Sequence, residues 1–237
     1  MTRRASARRP PALRLPVDAL DGVRVPITPA GVVLGADPSG APVPLAVLRP
    51  VPTRIVVLGA LHLARQIALR TVAQGARLVV TTGRAAAWEP IARAAADPGR
   101  VHVGAGPADE LPGEEPDLHP GDTDALLTVR DRGATPSGPD PSAGPGGPWR
   151  TTLLVLPALT PAVADAADDA DVVLLGRMPP QEADLATRLW RLSEPMAESL
   201  RTLPDHGVVA LGRNLWRRLD LVTADRETAV LGPVRRA

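Results

Sequence analysis

Short, uninterrupted apolar runs recur along the chain and constrain its fold more than any other feature. Arg54-Ile-Val-Val-Leu58, Arg77-Leu-Val-Val-Thr81, Arg150-Thr-Thr-Leu-Leu-Val-Leu156 and Asp171-Val-Val-Leu-Leu175 lack the polar alternation of a sheet wet on one face. They read as strands covered on both faces. Helical stretches separate them. From Ala60 to Gln74 the residues Leu61, Leu63, Ala64, Ile67, Ala68 and Val72 form a broad apolar face, while His62, Gln66, Arg70 and Gln74 recur every four residues as a polar stripe. Gly75 suits the left-handed position that follows a helix.

Further helices are predicted over Arg84 to Ala96, carrying Trp88, over Pro180 to Leu192 and over Ser193 to Leu203, with Thr160 and Pro161 opening a short one. Val101 to Val103 and Ala125 to Val129 add short strands, and the tail from Gly207 to Leu231 reads as a hairpin followed by a helical turn. Near the start, Gly31 to Leu48 is a pair of extended segments around an Asp37-Pro-Ser-Gly40 turn, with Pro42 and Pro44 assigning the second strand to a sheet edge. Strands alternating with helices predict an α/β three-layer sandwich with a mostly parallel sheet, right-handed crossovers and an N-terminal β-hairpin. Its topology is expected to be P-loop-like or Rossmann-like.

The expected organisation is one domain over residues 17–237, preceded by an Arg- and Pro-rich tail over 1–16. Two segments interrupt it, at about 105–124 and 133–148. The first holds seven acids and no base between Pro107 and Asp124, and the second is rich in Gly, Pro and Ser; both are expected to be mobile loops.

Composition removes whole classes of chemistry. The chain has no Cys, and all 27 of its Lys+Arg residues are Arg. No thiolate nucleophile, disulfide, cysteine-bound zinc or lysine Schiff base is therefore available. The longest uncharged run, Thr151 to Ala164, is 14 residues with two prolines, short of the roughly 20 that a membrane helix needs. A cytoplasmic protein, at most peripheral to a membrane, is expected. Five Arg among residues 1–14 face no acid there, so a formal charge of +1 leaves the remainder at −4. Four Trp are the only aromatic residues, too few to build a stacking track, and nucleic acid is not the expected partner.

Where chemistry could sit, the residues withhold it. Gly59, between a strand and a helix, occupies the first position of a G-x-x-x-x-G-K-[ST] phosphate loop, but the closing positions hold Ala64, Arg65 and Gln66. A fork-shaped guanidinium replaces the compact ammonium, and an amide replaces the hydroxyl that would hold Mg²⁺. The helix start can still hold an anion through Gly59, His62 and Arg65, or Gly59 can simply be a tight turn. No acid follows the strands ending at Leu156 and Leu175. Asp165, Asp168, Asp169 and Asp171 lack the glycine and terminal Glu of a calcium loop and read as a solvated turn, and Asp117, His119, Asp122 and Asp124 fall in the acidic loop. Neither a catalytic set nor a metal site nor a cofactor is expected. Trp216, bracketed by Arg213, Arg217 and Arg218, is the expected protein interface.

The hairpin around Asp37-Pro-Ser-Gly40, leading directly into Thr53-Arg-Ile-Val-Val-Leu-Gly-Ala60 and a helix, resembles the start of FtsK/HerA-type motor ATPase domains, including that of the type VII secretion motor. Residues 31–96 and the segments Thr151 to Leu156, Asp171 to Leu175 and Asn214 to Pro233 are also similar to actinobacterial proteins associated with type VII secretion. With Arg65 and Gln66 where that family has Lys and Ser/Thr, the resemblance implies a catalytically silent relative. Such a chain would be a non-enzymatic cytosolic component or adaptor, binding a secretion ATPase or membrane subunit through a degenerate nucleotide-binding fold. The competing reading is a small-molecule or nucleotide-binding enzyme with its site at the carboxyl ends of the strands near Gly59.

Overall fold

The computed structural model describes residues 31–105, 125–132, 147–213 and 215–233. Ten strands form one sheet: β1 (Val32–Ala36), β2 (Pro42–Leu45), β3 (Thr53–Leu58), β4 (Arg77–Thr82), β5 (Val101–Ala105), β6 (Leu126–Asp131), β7 (Arg150–Leu156), β8 (Val172–Leu175), β9 (Gly207–Gly212) and β10 (Leu215–Leu221). Their spatial order is β2-β1-β10-β9-β8-β3-β7-β6-β4-β5. From β8 to β5 all neighbours are parallel, and β9, β10, β1 and β2 extend the sheet antiparallel.

Among the described residues six α-helices cover the two faces: α1 (Leu61–Ala73), α2 (Glu89–Ala94), α3 (Ala164–Asp168), α4 (Pro180–Trp190), α5 (Glu194–Thr202) and α6 (Asp225–Leu231). One core joins α1, α2 and α6 to the sheet through Leu63, Ile67, Trp88, Ile91 and Leu231. The other joins α3, α4 and α5 through Ala167, Ala183, Ala186 and Leu200. Uninterrupted apolar strands such as Ile55-Val-Val-Leu58 supply side chains to both cores in alternation, which is why they carry no polar face. The three-layer α/β sandwich follows.

The hairpin is made as its sequence predicts. Asp37 Oδ1 accepts from the N–H groups of Ser39 (2.9 Å) and Ala41 (3.0 Å), fixing the turn. β2, with Pro42 and Pro44, is the terminal strand of the sheet, where a missing N–H costs no ladder bond. The other boundaries shift. The stretch from Arg84 to Ala96 is a 3₁₀ turn at Ala85–Ala87 followed by the single short helix α2, which ends where Ala95 turns extended; Asp97 then caps the next turn by accepting from Gly99 N–H at 2.9 Å. Thr160 makes no side-chain cap: Pro161–Val163 is a 3₁₀ turn and α3 begins at Ala164. The strand expected over Ala125 to Val129 runs instead from Leu126 to Asp131. The tail over 1–16 and most of the two predicted loops lie outside the described residues.

No helix among the described residues is long and apolar enough to cross a membrane.

Candidate functional site

The chain leaves β3 through α1 toward the β5 edge and leaves β7 through α3 toward the opposite edge. The change of direction falls between the adjacent strands β3 and β7, and open α/β sheets place ligands at the carboxyl ends of strands at such a point. Gly59 stands there. Its φ of +68° is a left-handed conformation that favours glycine, and its N–H donates to the Leu156 carbonyl at 2.9 Å, tying β3 to β7. A Cβ at Gly59 would meet only the Pro157 carbonyl oxygen, at 3.7 Å.

The connection between β3 and α1 is two residues, Gly59 and Ala60, and helix starts at Leu61. A phosphate loop in the register of Gly59 needs the chain up to Ala64 to curl around the anion; here Leu61, His62, Leu63 and Ala64 are already helical. Arg65 and Gln66 consequently lie in the second turn of α1 and face the C-terminal segment. Arg65 Nη1 donates to the Leu231 carbonyl (3.0 Å), and Gln66 Nε2 donates to the Val222 carbonyl (2.9 Å). One turn further, the Arg70 guanidinium takes the Glu227 carboxylate in a bidentate pair (2.5 and 2.6 Å) and also donates to the carbonyls of Val33 and Val222. Burial pushes the Glu227 carboxyl up, but the Arg70 fork and the Ala224 N–H outweigh it and hold it below the usual value. The polar stripe of α1 thus binds α6.

His62 belongs to the same stripe. It is buried, its Nε2 has no hydrogen-bond partner among the described residues, and burial together with the neighbouring Arg65 charge lowers its pKa. Desolvation also lowers the Arg65 pKa, leaving the guanidinium charged. Gly59, His62 and Arg65 therefore share the first two turns around one helix start, with Arg65 engaged by the chain itself.

One residue escaped the sequence reading. Asp131 ends β6, level in register with Thr82 on β4 and Val155 on β7, two strands or roughly 10 Å from β3. It is an acid at the carboxyl edge of the parallel sheet, where a Mg²⁺-binding carboxylate would be needed. Its side chain is turned to other use. Oδ2 accepts from Trp88 Nε1 (2.9 Å), Arg84 Nε (2.8 Å) and the Thr82 hydroxyl (3.0 Å), and Oδ1 accepts from Arg84 Nη2 (2.7 Å). Asp131 is 3% exposed. Burial pushes its carboxyl up, but the bonds from Arg84, Trp88 and Thr82 prevail and hold it below the ordinary aspartate value. The signal was present in the sequence: an apolar strand, Leu126-Leu-Thr-Val, running straight into Arg130-Asp131.

The predicted interface residues lie at the other end of the sheet. Trp216, on β10, is half-buried and packs against the α4–α5 core, while Arg213, Arg217 and Arg218 are exposed. Of Asp165, Asp168, Asp169 and Asp171, the last three line one surface cavity without forming a metal-ligand group: Asp171 pairs with Arg49 at 3.6 Å and Asp169 with Arg54 at 3.8 Å. Among the described residues no three metal-ligating side chains are grouped; Asp117, His119, Asp122 and Asp124 lie outside them.

No protein-family model matches the chain, nor does any curated protein sequence. Solved structures do, and they define an α/β fold of the P-loop ATPase type. VirB4 of Thermoanaerobacter pseudethanolicus superposes with a TM-score of 0.55 at 10% identity, over 84% of this chain and 98% of that one. The cytoplasmic domain of the Thermomonospora curvata type VII secretion ATPase EccC gives 0.54 at 15% identity, over 94% of this chain and 31% of EccC. The pCW3 conjugation coupling protein TcpA gives 0.51 at 12% identity, over 91% and 70%.

Proposed function

We propose that this chain is a non-hydrolysing P-loop-like domain that serves a secretion machinery in the cytoplasm, acting by binding a partner protein such as a secretion ATPase or a membrane subunit. One observation carries the reading: the parts a phosphate loop needs are engaged in holding the fold together. The β3–α1 connection is too short to cradle phosphate, Arg65 and Gln66 bind the C-terminal segment, and Asp131 binds Trp88, Arg84 and Thr82. The likeness to EccC and TcpA supports a place beside secretion and conjugation ATPases. The surface of Trp216, Arg213, Arg217 and Arg218 is the contact through which it would act, since half-buried Trp and exposed Arg are the residue types that anchor interfaces.

A second reading keeps one support. His62 Nε2 lacks a partner at the start of α1, and the space at Gly59 is open, so a small anion could be held there without Mg²⁺. A thermal-shift titration with ATP, ADP, GTP and NAD(H), with and without Mg²⁺, separates the two. The adaptor reading expects no shift at millimolar nucleotide and no phosphate release. A ligand at a hundred times its Kd would add roughly 2.7 kcal/mol, several degrees of Tm, and would move the second reading ahead; Mg²⁺-dependent hydrolysis would overturn the first.

A further inference from the structure

We propose that the segment 222–231, with α6 at its centre, is a proton-releasable latch on α1: it stays docked while the buried imidazole of His62 is neutral and comes away when that imidazole is charged. The latch goes beyond the adaptor reading and does not depend on what the chain binds.

Polar contacts carry much of the docking. Of α6, Leu231 is buried in the core and Val230 packs beside it. The rest of the grip comes from one stripe of α1. Arg65 Nη1 donates to the Leu231 carbonyl, Gln66 Nε2 to the Val222 carbonyl, and Arg70 to the Val222 carbonyl and the Glu227 carboxylate. His62 lies three residues before Arg65 and four before Gln66, so the three share a face of the helix. That face is incompletely satisfied. His62 Nε2, Arg65 Nε and Gln66 Oε1 are all buried without a hydrogen-bond partner among the described residues. Each such atom counts against the docked state, because water would satisfy it once the segment lifts.

His62 turns this contact into a switch. It is 8% exposed, and a second proton would bury a cation beside the Arg65 guanidinium with no acceptor on Nε2. The charges that bear on it are Arg65 from α1 and Glu227 from α6. Glu227 offers little relief, since Arg70 already takes its carboxylate at 2.5 and 2.6 Å. The remaining charges of α6, Asp225 and Arg226, are exposed, as are Glu89 and Arg93 of α2, which packs against both helices. Docked, the imidazole therefore sits below its ordinary 6.5; undocked and in water, it returns there. The sign follows from linkage. Docking is fully favoured above 6.5 and is lost as pH falls from 6.5 through the lowered value. Over that range Arg65 and Arg70 stay charged, and Glu227, held below its usual value, stays ionised.

The test is hydrogen exchange of the full chain, corrected for intrinsic rates, at about pH 7.5 and about pH 5.5. Opening of α6, read at the amides of Thr228 and Gly232 that close on the Ala224 and Thr228 carbonyls, is expected to rise up to about ten-fold in acid, the limit for one proton taken up per opening. Helix α4, which contains no His, should not change. His62→Gln, neutral at both pH values, should abolish the dependence. His102 and His206 are exposed and remain in that variant. Should His62→Gln fail to fold, titration of the wild-type His62 imidazole by NMR decides instead, with a midpoint below 6.5 expected. Four outcomes would overturn the proposal: α6 opening that is independent of pH, equal acceleration in α4, a dependence retained in His62→Gln, or a His62 midpoint at or above 6.5.

Discussion

At the carboxyl ends of the parallel strands buried polar groups meet one another at short range; at the amino ends, near the β9–β10 turn, the ion pairs of Asp171 with Arg49 and of Asp169 with Arg54 are long and exposed. Asp131 takes four hydrogen bonds from Trp88, Arg84 and Thr82, and the α1 stripe grips α6 through Arg65, Gln66 and Arg70. Near Trp190 and Trp216, Arg188, Arg191, Arg213 and Arg218 are exposed and make no ion pair among the described residues, although Asp168, Asp169 and Asp171 line the same corner. Satisfied buried charges hold a fold together, while unsatisfied exposed ones are available to something else. The end of the sheet that would perform phosphate chemistry is thus the stabilising end, and the proposed contact surface around Trp216 lies at the opposite one.

The largest test of that contrast is Trp88→Ala. The side chain is fully buried and also donates to Asp131, so the variant leaves a cavity and removes a donor from a buried carboxylate. A loss of about 4 kcal/mol in urea unfolding is expected. Asp131→Asn sharpens it through pH. The folded carboxyl sits below its ordinary 3.8, so the wild type holds its advantage above that value and loses it as pH falls through the lowered one. Stability curves of wild type and Asp131→Asn should therefore diverge near neutrality and converge in acid. Parallel curves would mean that Asp131 is not held as a carboxylate, and the comparison would collapse.

The Glu227–Arg70 pair is a smaller test at the same end. Both side chains are mostly buried, and Glu227 also caps the start of α6 through the Ala224 N–H. Glu227→Gln should cost about 2 kcal/mol and should appear first as faster amide exchange in α6. Exchange unchanged in α6 would show that Leu231 and Val230 alone hold that helix against the core.

The architecture was legible in the sequence because strands buried on both faces leave an apolar signature that little else mimics: Ile55 to Leu58, Leu153 to Leu156 and Val173 to Leu175 fall where expected. The edge position of β2 was legible from two prolines. The sites were harder to read. Asp131 was hidden because charged residues usually end a strand, yet here Arg130 and Asp131 continue it inside the protein. The C-terminal partners of Arg65, Gln66 and Arg70, namely Leu231, Val222 and Glu227, lie more than 150 residues away along the chain, and spacing cannot reveal such distant pairing. A stripe at four-residue intervals looks the same whether it meets water, a ligand or another helix.

The smallest expected effect concerns backbone strain at a single residue. Arg191 sits in a left-handed conformation, where an L side chain costs about 1 kcal/mol relative to glycine. Arg191→Gly should therefore raise stability slightly, by up to roughly 1 kcal/mol less the added freedom of the unfolded chain, measurable as a small rise in Tm. If Arg191→Gly loses stability instead, the arginine packs the end of α4, and the two ends of the sheet differ less than their charges suggest.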